Sequence, residues 1–108
     1  MVGWAVNAYI EGMKTICKYE IDIQKADWQT IKMPTGAELL SVQVQHGTPV
    51  LWAAVDTELE HEDRNFEIFG TGIEMHANNG VSRRFVGTFQ MHEGHLVLHL
   101  FERLKDMT

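Results

Sequence analysis

The sequence predicts a mainly β, antiparallel fold: a single sandwich or partly closed barrel of about seven strands. Three observations lead there. Apolar and polar residues alternate along most of the chain, as in "CKYEIDI" and "LSVQVQ", the period of a strand with one buried face. Turn residues punctuate these runs at "PTG", "HGTP" and "HEGH". No helical pattern of roughly 10–15 residues lies between strands, which excludes parallel βαβ units.

The elements follow in order. Trp4, Ala5, Ala8, Tyr9 and Met13 approximate one stripe of a short N-terminal helix, so residues 1–14 read as an extension ahead of a single β domain at 15–108. In "ICKYEIDI", Cys17, Tyr19, Ile21 and Ile23 share the inner face, and Lys18, Glu20 and Asp22 the outer one. "WQTIKM" forms a second strand, closed by the "PTG" turn. Leu40, Val42 and Val44 then face inward against Ser41, Gln43 and Gln45. "VLWAAVD" is apolar on both faces and so belongs at the centre of a sheet. It pairs with the preceding strand as a hairpin. "TELEHEDRN" reads as an acidic loop, "FEIFG" as a short strand, and "RFVGTFQMH" with "HLVLHLFE" as the clearest hairpin.

Composition sets limits on function. The chain has 108 residues, one domain's worth, and 44% apolar residues suit a globular core. A net charge of −6 argues against a nucleic-acid backbone as main partner, which needs clustered Lys and Arg. Cys17 is the only cysteine, so no intrachain disulfide and no zinc finger can form. No apolar run reaches the roughly 18 residues of a membrane span. The opening residues lack a basic leader and carry Glu11 where a signal peptide is apolar. A cytoplasmic location is expected.

His92, His95 and His99 raise the question of a metal. A two-residue Glu93–Gly94 turn would pair His92 with His95, Gln90 with Val97, Thr88 with His99 and Val86 with Phe101. Met91, Phe89, Gly87 and Phe85 would then meet Leu96, Leu98 and Leu100 on the core face. His95 and His99 lie roughly 13 Å apart along one strand, too far to share an ion held at about 2 Å. His92 and His95 remain weak candidates that need a third ligand, with Glu93, His76 and His61 nearest. No metal or cofactor is therefore expected.

Other candidate chemistry is sparse. "DTELEHEDRNFE" has His61 where a calcium loop needs glycine, and no helices flank it. Gly70, Thr71 and Gly72 form a lone GxG, which marks a bend or an anion-binding nest rather than a dinucleotide fingerprint. Arg83 and Arg84 offer bidentate donors to a phosphate, with Arg64 a further candidate. No GxSxG or HExxH motif occurs, and no catalytic residue is assigned.

"KYEI", "MPTGAELLSVQVQHGTPVLWAAVD", "FEIFGTG" and "FVGTFQMHEGHLVLHLFE" together resemble a family of small, functionally uncharacterised domains found in bacteriophage and prophage genomes. The resemblance spans residues 18–102, and "LSVQVQ" with "LWAAVD" is its most distinctive part. The departure is the added segment "MVGWAVNAYIEG". The resemblance implies no catalytic residues. It does imply a phage protein that acts by binding, by analogy with other small phage β domains.

The leading expectation is thus a non-enzymatic, homo-oligomeric binding protein that counters host defence. In one version it holds a nucleotide-like immune signal between subunits: Arg83 and Arg84 meet phosphate, Trp52 stacks on a base, and Gln43 and Gln45 read polar edges. In another, an exposed aromatic patch binds a host defence protein. The alternatives are a metal-dependent small-molecule enzyme using His92 and His95, and a phage assembly accessory.

Overall fold

The computed structural model describes residues 14–25, 27–75 and 82–104. The expected N-terminal helix and His76 lie outside them. Seven strands form the domain: β1 (Lys14–Glu20), β2 (Trp28–Pro34), β3 (Glu38–Gln45), β4 (Thr48–Asp56), β5 (His61–Gly70), β6 (Arg83–Met91) and β7 (Leu96–Arg103). They build a three-stranded sheet in the order β1-β4-β3 and a four-stranded sheet in the order β2-β5-β7-β6. Every pairing is antiparallel and neither sheet closes on itself, so the fold is a sandwich.

The core follows from alternation. Leu51, Ala53 and Val55 of β4 point inward and are fully buried, as are Met33, Phe66 and Leu100 from the facing sheet. Burying each large apolar side chain contributes about 1.5–3 kcal/mol against its ordering cost. β4 lies at the centre of its sheet, as its two apolar faces require. Val50 and Ala54, on its other face, are also buried. Gln29 is a buried polar residue on β2, and it is satisfied. Its amide accepts from the Asp22 N–H at 3.0 Å and donates to the Asp22 carbonyl at 2.9 Å, which fixes the β1–β2 connection.

The β3–β4 hairpin closes through His46 and Gly47, with φ of 51° and 82°. Two such residues match the right-handed strand twist. The final hairpin has the anticipated register from Met91–Leu96 through Thr88–His99, and Leu98 and Leu100 are buried while His92 and His95 are exposed. Its turn is longer than the expected two-residue link, because the last strand pair is Met91–Leu96 and His92 and His95 fall within the turn: His92, Glu93 and Gly94 all have positive φ, and the His95 N–H donates to the His92 carbonyl at 3.0 Å.

Three expectations are corrected. A register shift between Leu39 and Ser41 turns Leu39 toward the core and leaves Leu40 45% exposed. The same device between Phe85 and Gly87 pairs Phe85, not Val86, with Phe101. Val86 therefore packs on the core and Phe85 faces outward, 55% exposed. The bulge adds one residue and so exchanges faces beyond it. Finally, the acidic loop is shorter than expected. His61–Asn65 extend β5, because each pairs across to β2, from Pro34 to Thr30.

Close packing explains the glycine that follows the second bulge. β6 passes β3 so closely that a Cβ on Gly87 would lie 2.7 Å from Val42 Cγ1. Valine is stiff at χ1 and cannot swing away. Gly87→Ala is expected to destabilise the domain by about 1–3 kcal/mol, and Val42→Ala in the same chain should recover part of that loss. Additive denaturation energies in the double variant would disprove the contact.

Tyr19 supplies a pH test of the inner face. Burial first, and then the neighbouring Cys17 thiol, push its phenol above the ordinary 10.0. The folded state thus holds this proton more tightly than the unfolded chain. Stability from this group is complete below the unfolded value and falls as pH rises through the folded one. Alkaline denaturation curves should show that decline, and Tyr19→Phe should flatten it.

Candidate functional site

The outer face of the four-stranded sheet is where chemistry-bearing residues gather. Pairing registers place Trp28, Glu67, Phe101 and Phe85 in one row across β2, β5, β7 and β6. Thr30, Asn65, Arg103 and Arg83 form the next row, and Phe69, His99 and Thr88 the row on the other side. Phe101 meets Phe69 and Phe85 edge to face, with centroids 5.7 and 5.4 Å apart. Such contacts add about 0.5–1.5 kcal/mol beyond area burial and hold the rings in fixed poses.

Guanidinium groups are interleaved with these rings. Arg103 lies 4.2 Å over Trp28, which is itself 49% exposed. Arg83 lies 5.1 Å over Phe69 and grips Glu67, its Nε donating at 2.6 Å. Arg83 is thus engaged on the surface of the sheet, whereas Arg103 faces no carboxylate among the described residues. His99 is bracketed: Thr88 Oγ1 is 2.8 Å from its Nδ1 and Thr71 Oγ1 is 2.7 Å from its Nε2. This histidine positions the turn after β5 rather than standing free.

A cleft of about 570 Å³ opens beside this face, where β5 continues past the end of β7. Inside it Arg64 and Glu102 form a buried ion pair, their side chains only 12% and 5% exposed. Arg64 Nε and Nη2 both donate to the Glu102 carboxylate, and Nη1 donates to the Ala37 carbonyl at 3.0 Å. Donation to the Glu102 carboxylate raises the Arg64 pKa above the ordinary arginine value despite burial, and the charges of Glu102 and Glu62 add to the rise. Arg64 therefore stays cationic at any physiological pH. Arg84 stands at the mouth, 61% exposed and 4.0 Å from Glu102.

Sequence-derived candidates separate onto two surfaces. Trp52, Gln43 and Gln45 share the outer face of the three-stranded sheet, where Lys18 donates to Gln45 and lies 5.9 Å from the Trp52 ring. Arg83 is on the opposite outer face of the sandwich. Gly70, Thr71 and Gly72 make the turn ending β5. The Thr71 N–H donates to Val97 and that of Ile73 to Gly70, so both amides are used within the fold. Arg84 opposes Glu102 and Gly70 opposes Leu98, roughly 13 Å apart along β7. Within one chain these groups do not converge on a common ligand.

Trp28, Phe69, Phe85, Phe101 and Arg103 were not anticipated as a site. The signal for Phe85 is Gly87 inside a strand run, which marks a bulge and a change of face.

A model of a domain of unknown function, DUF7352, matches residues 13–107. The chain belongs to this family. No curated protein and no solved structure shows significant similarity to it. Among the described residues of this DUF7352 domain, no three His, Cys, Asp or Glu side chains are grouped to hold an ion. His61 opens β5 opposite Pro34, roughly 30 Å along that strand from the end nearest His92 and His95. No helix among the described residues is long and apolar enough to cross a membrane.

The buried pair gives a direct stability test. Arg64→Met or Glu102→Gln leaves an uncompensated buried group and should cost about 3–5 kcal/mol. Replacing both by apolar residues should cost less than either single change. Chemical denaturation of the three variants measures it, and a double variant as unstable as the sum of the singles would refute the pairing.

Proposed function

We propose that this DUF7352 domain is a non-enzymatic binding protein whose four-stranded outer face takes a planar, anionic, nucleotide-like ligand. The observation that carries the reading is the exposed ring of Phe85 against the half-buried Phe101, in one row with the exposed Trp28, beside Arg103, which has no carboxylate partner among the described residues. Aromatic faces stack on any planar ring, and a guanidinium adds bidentate donors for an acidic group. The absence of a recognisable nucleophile motif in the sequence supports binding over catalysis.

The phage resemblance supplies the setting. The protein acts in the host cytoplasm and counters host defence by sequestering an immune signal. Trp52, Gln43 and Gln45 enter this function only in a homo-oligomer, because a ligand touching them and the arginine-bearing face must bridge two copies. A second reading keeps the same aromatic row but fills it with a host defence protein. The exposure of Phe85 on an edge strand favours that reading, since such a ring is open from two sides.

Native mass spectrometry and thermal melting with a panel of nucleotides test the proposal. Ligand at about 100 times its Kd adds ~2.7 kcal/mol of stability, a rise of several degrees in a domain of this size. Phe85→Ala should abolish most of that rise, measured from its own basal Tm, which falls by no more than the loss of the one Phe85–Phe101 ring contact. No shift with any nucleotide would reject the ligand reading. Stoichiometric zinc, iron or manganese in the purified protein would instead favour a metal-dependent enzyme.

A further inference from the structure

We infer that the cleft at the end of β7 is a phosphate seat, formed by Arg84 and Arg103, for the ligand that stacks on the aromatic row. This rests on the reading of that face as a ligand surface and assigns the ligand's charged end. The argument begins with charge. The cleft is lined by three carboxylates and three guanidinium groups, which taken alone would suit no anion. The carboxylates, however, are already committed. Glu102 receives two donors from Arg64, and Asp63 holds Lys32 at 2.7 Å. Glu62 accepts from the Gly36 N–H at 3.0 Å and lies 3.9 Å from Arg64.

Lys32, outside the cleft, neutralises Asp63, which among the described residues leaves Arg64, Arg84 and Arg103 against Glu62 and Glu102 in the lining. Arg64 is taken up by Glu102 and Glu62, so the positive charge left at the cleft is that of Arg84 and Arg103. Arg84 has only a 4.0 Å approach to an acid already doubly hydrogen-bonded. Arg103 lies over Trp28, 4.2 Å from the ring centroid, a contact that orders its donors before any ligand arrives.

Geometry then relates the two halves of the site. Arg84 and Arg103 both line the cleft, Arg84 from the face that carries Glu102 and Arg103 from the face that carries Trp28. Two donors from different directions fit a tetrahedral oxyanion better than a planar carboxylate. Phe101 and Arg103 are two residues apart on β7, about 7 Å, comparable to the span from a nucleobase to its 5′-phosphate. A mononucleotide lying along β7 would thus place its ring against Phe101 and Phe85 and its phosphate in the cleft.

The test uses the whole protein with pyrophosphate, adenosine and AMP as separate probes in calorimetric titrations. Saturable pyrophosphate binding is expected, weakened at least tenfold in Arg84→Gln/Arg103→Gln and unchanged in Phe85→Ala. AMP should bind more tightly than either part. Arg84→Gln alone, at a largely exposed position, guards against misfolding and should weaken pyrophosphate several-fold. If adenosine binds through Phe85 while pyrophosphate does not bind, the phosphate seat is wrong and the aromatic surface stands. If pyrophosphate binds through both arginines but no nucleoside or nucleotide improves on it, the seat stands and the planar-ligand reading falls. Equal pyrophosphate binding by wild type and the double variant, or none by either, overturns the seat.

Discussion

The Arg64–Glu102 ion pair is the interaction on which the rest of the site depends. It sits on the inner face of the four-stranded sheet, at the end where the apolar core gives out. Above it, Phe66 and Leu100 fill the space between the sheets. At Arg64 the side chains become charged, and water is close. Charged groups at such a boundary are tolerated only when paired and hydrogen-bonded. The fold meets that condition from three elements: Glu102 on β7, Arg64 on β5, and the Ala37 carbonyl just ahead of β3. The last of these crosses to the other sheet. The pair therefore links the two layers where packing alone does not. It also neutralises Glu102, so Arg84 is left with little opposing charge at the cleft mouth.

A second constraint shapes the outer face. β3 and β6 are edge strands of different sheets, and they touch at Val42 and Gly87. Contact this close admits no side chain on β6, which accounts for the glycine. The accompanying bulge turns Phe85 out toward Phe101. An apolar ring that alternation assigns to the core becomes part of an exposed aromatic row. The bulge beside this contact thus determines what the far side of the sheet presents to solvent.

The parts of the fold that were legible in the sequence are those governed by local period. Leu51, Ala53 and Val55 face inward and the two hairpins close at His46–Gly47 and His92–His95, because side-chain alternation and turn chemistry are properties of adjacent residues. The bulges were harder to read: Gly87 hints at the second, but what requires a glycine there is Val42, a neighbour distant in the chain. The extension of β5 through His61–Asn65 was hidden for a related reason. Its residues are polar, and only their pairing with β2 makes them a strand. Candidate residues suffered most. Arginines were visible as phosphate donors, but which of them has its charge taken depends on cross-strand register. Arg83 lies near Glu67, whereas Arg103 lies near Trp28, and no local pattern distinguishes the two.

The overall charge of −6 and the proposed anion seat are compatible once distance is considered. At physiological ionic strength, charges separated by more than about 8 Å are largely screened. A polyanion lying along the surface would meet the acidic residues of β5 and the β4–β5 turn in turn, and its attraction to two arginines would be offset. A small ligand samples only its immediate surroundings. At the cleft those are Arg84, Arg103 and carboxylates already bound to other groups. On the proposed function the acidic surface would work as a selector, repelling extended nucleic acid while leaving a short phosphate-bearing molecule one place of net positive character. Raising the salt concentration should accordingly weaken AMP binding only modestly, because few ions are displaced from so small a contact, in contrast to the steep dependence of a protein that follows a phosphate backbone.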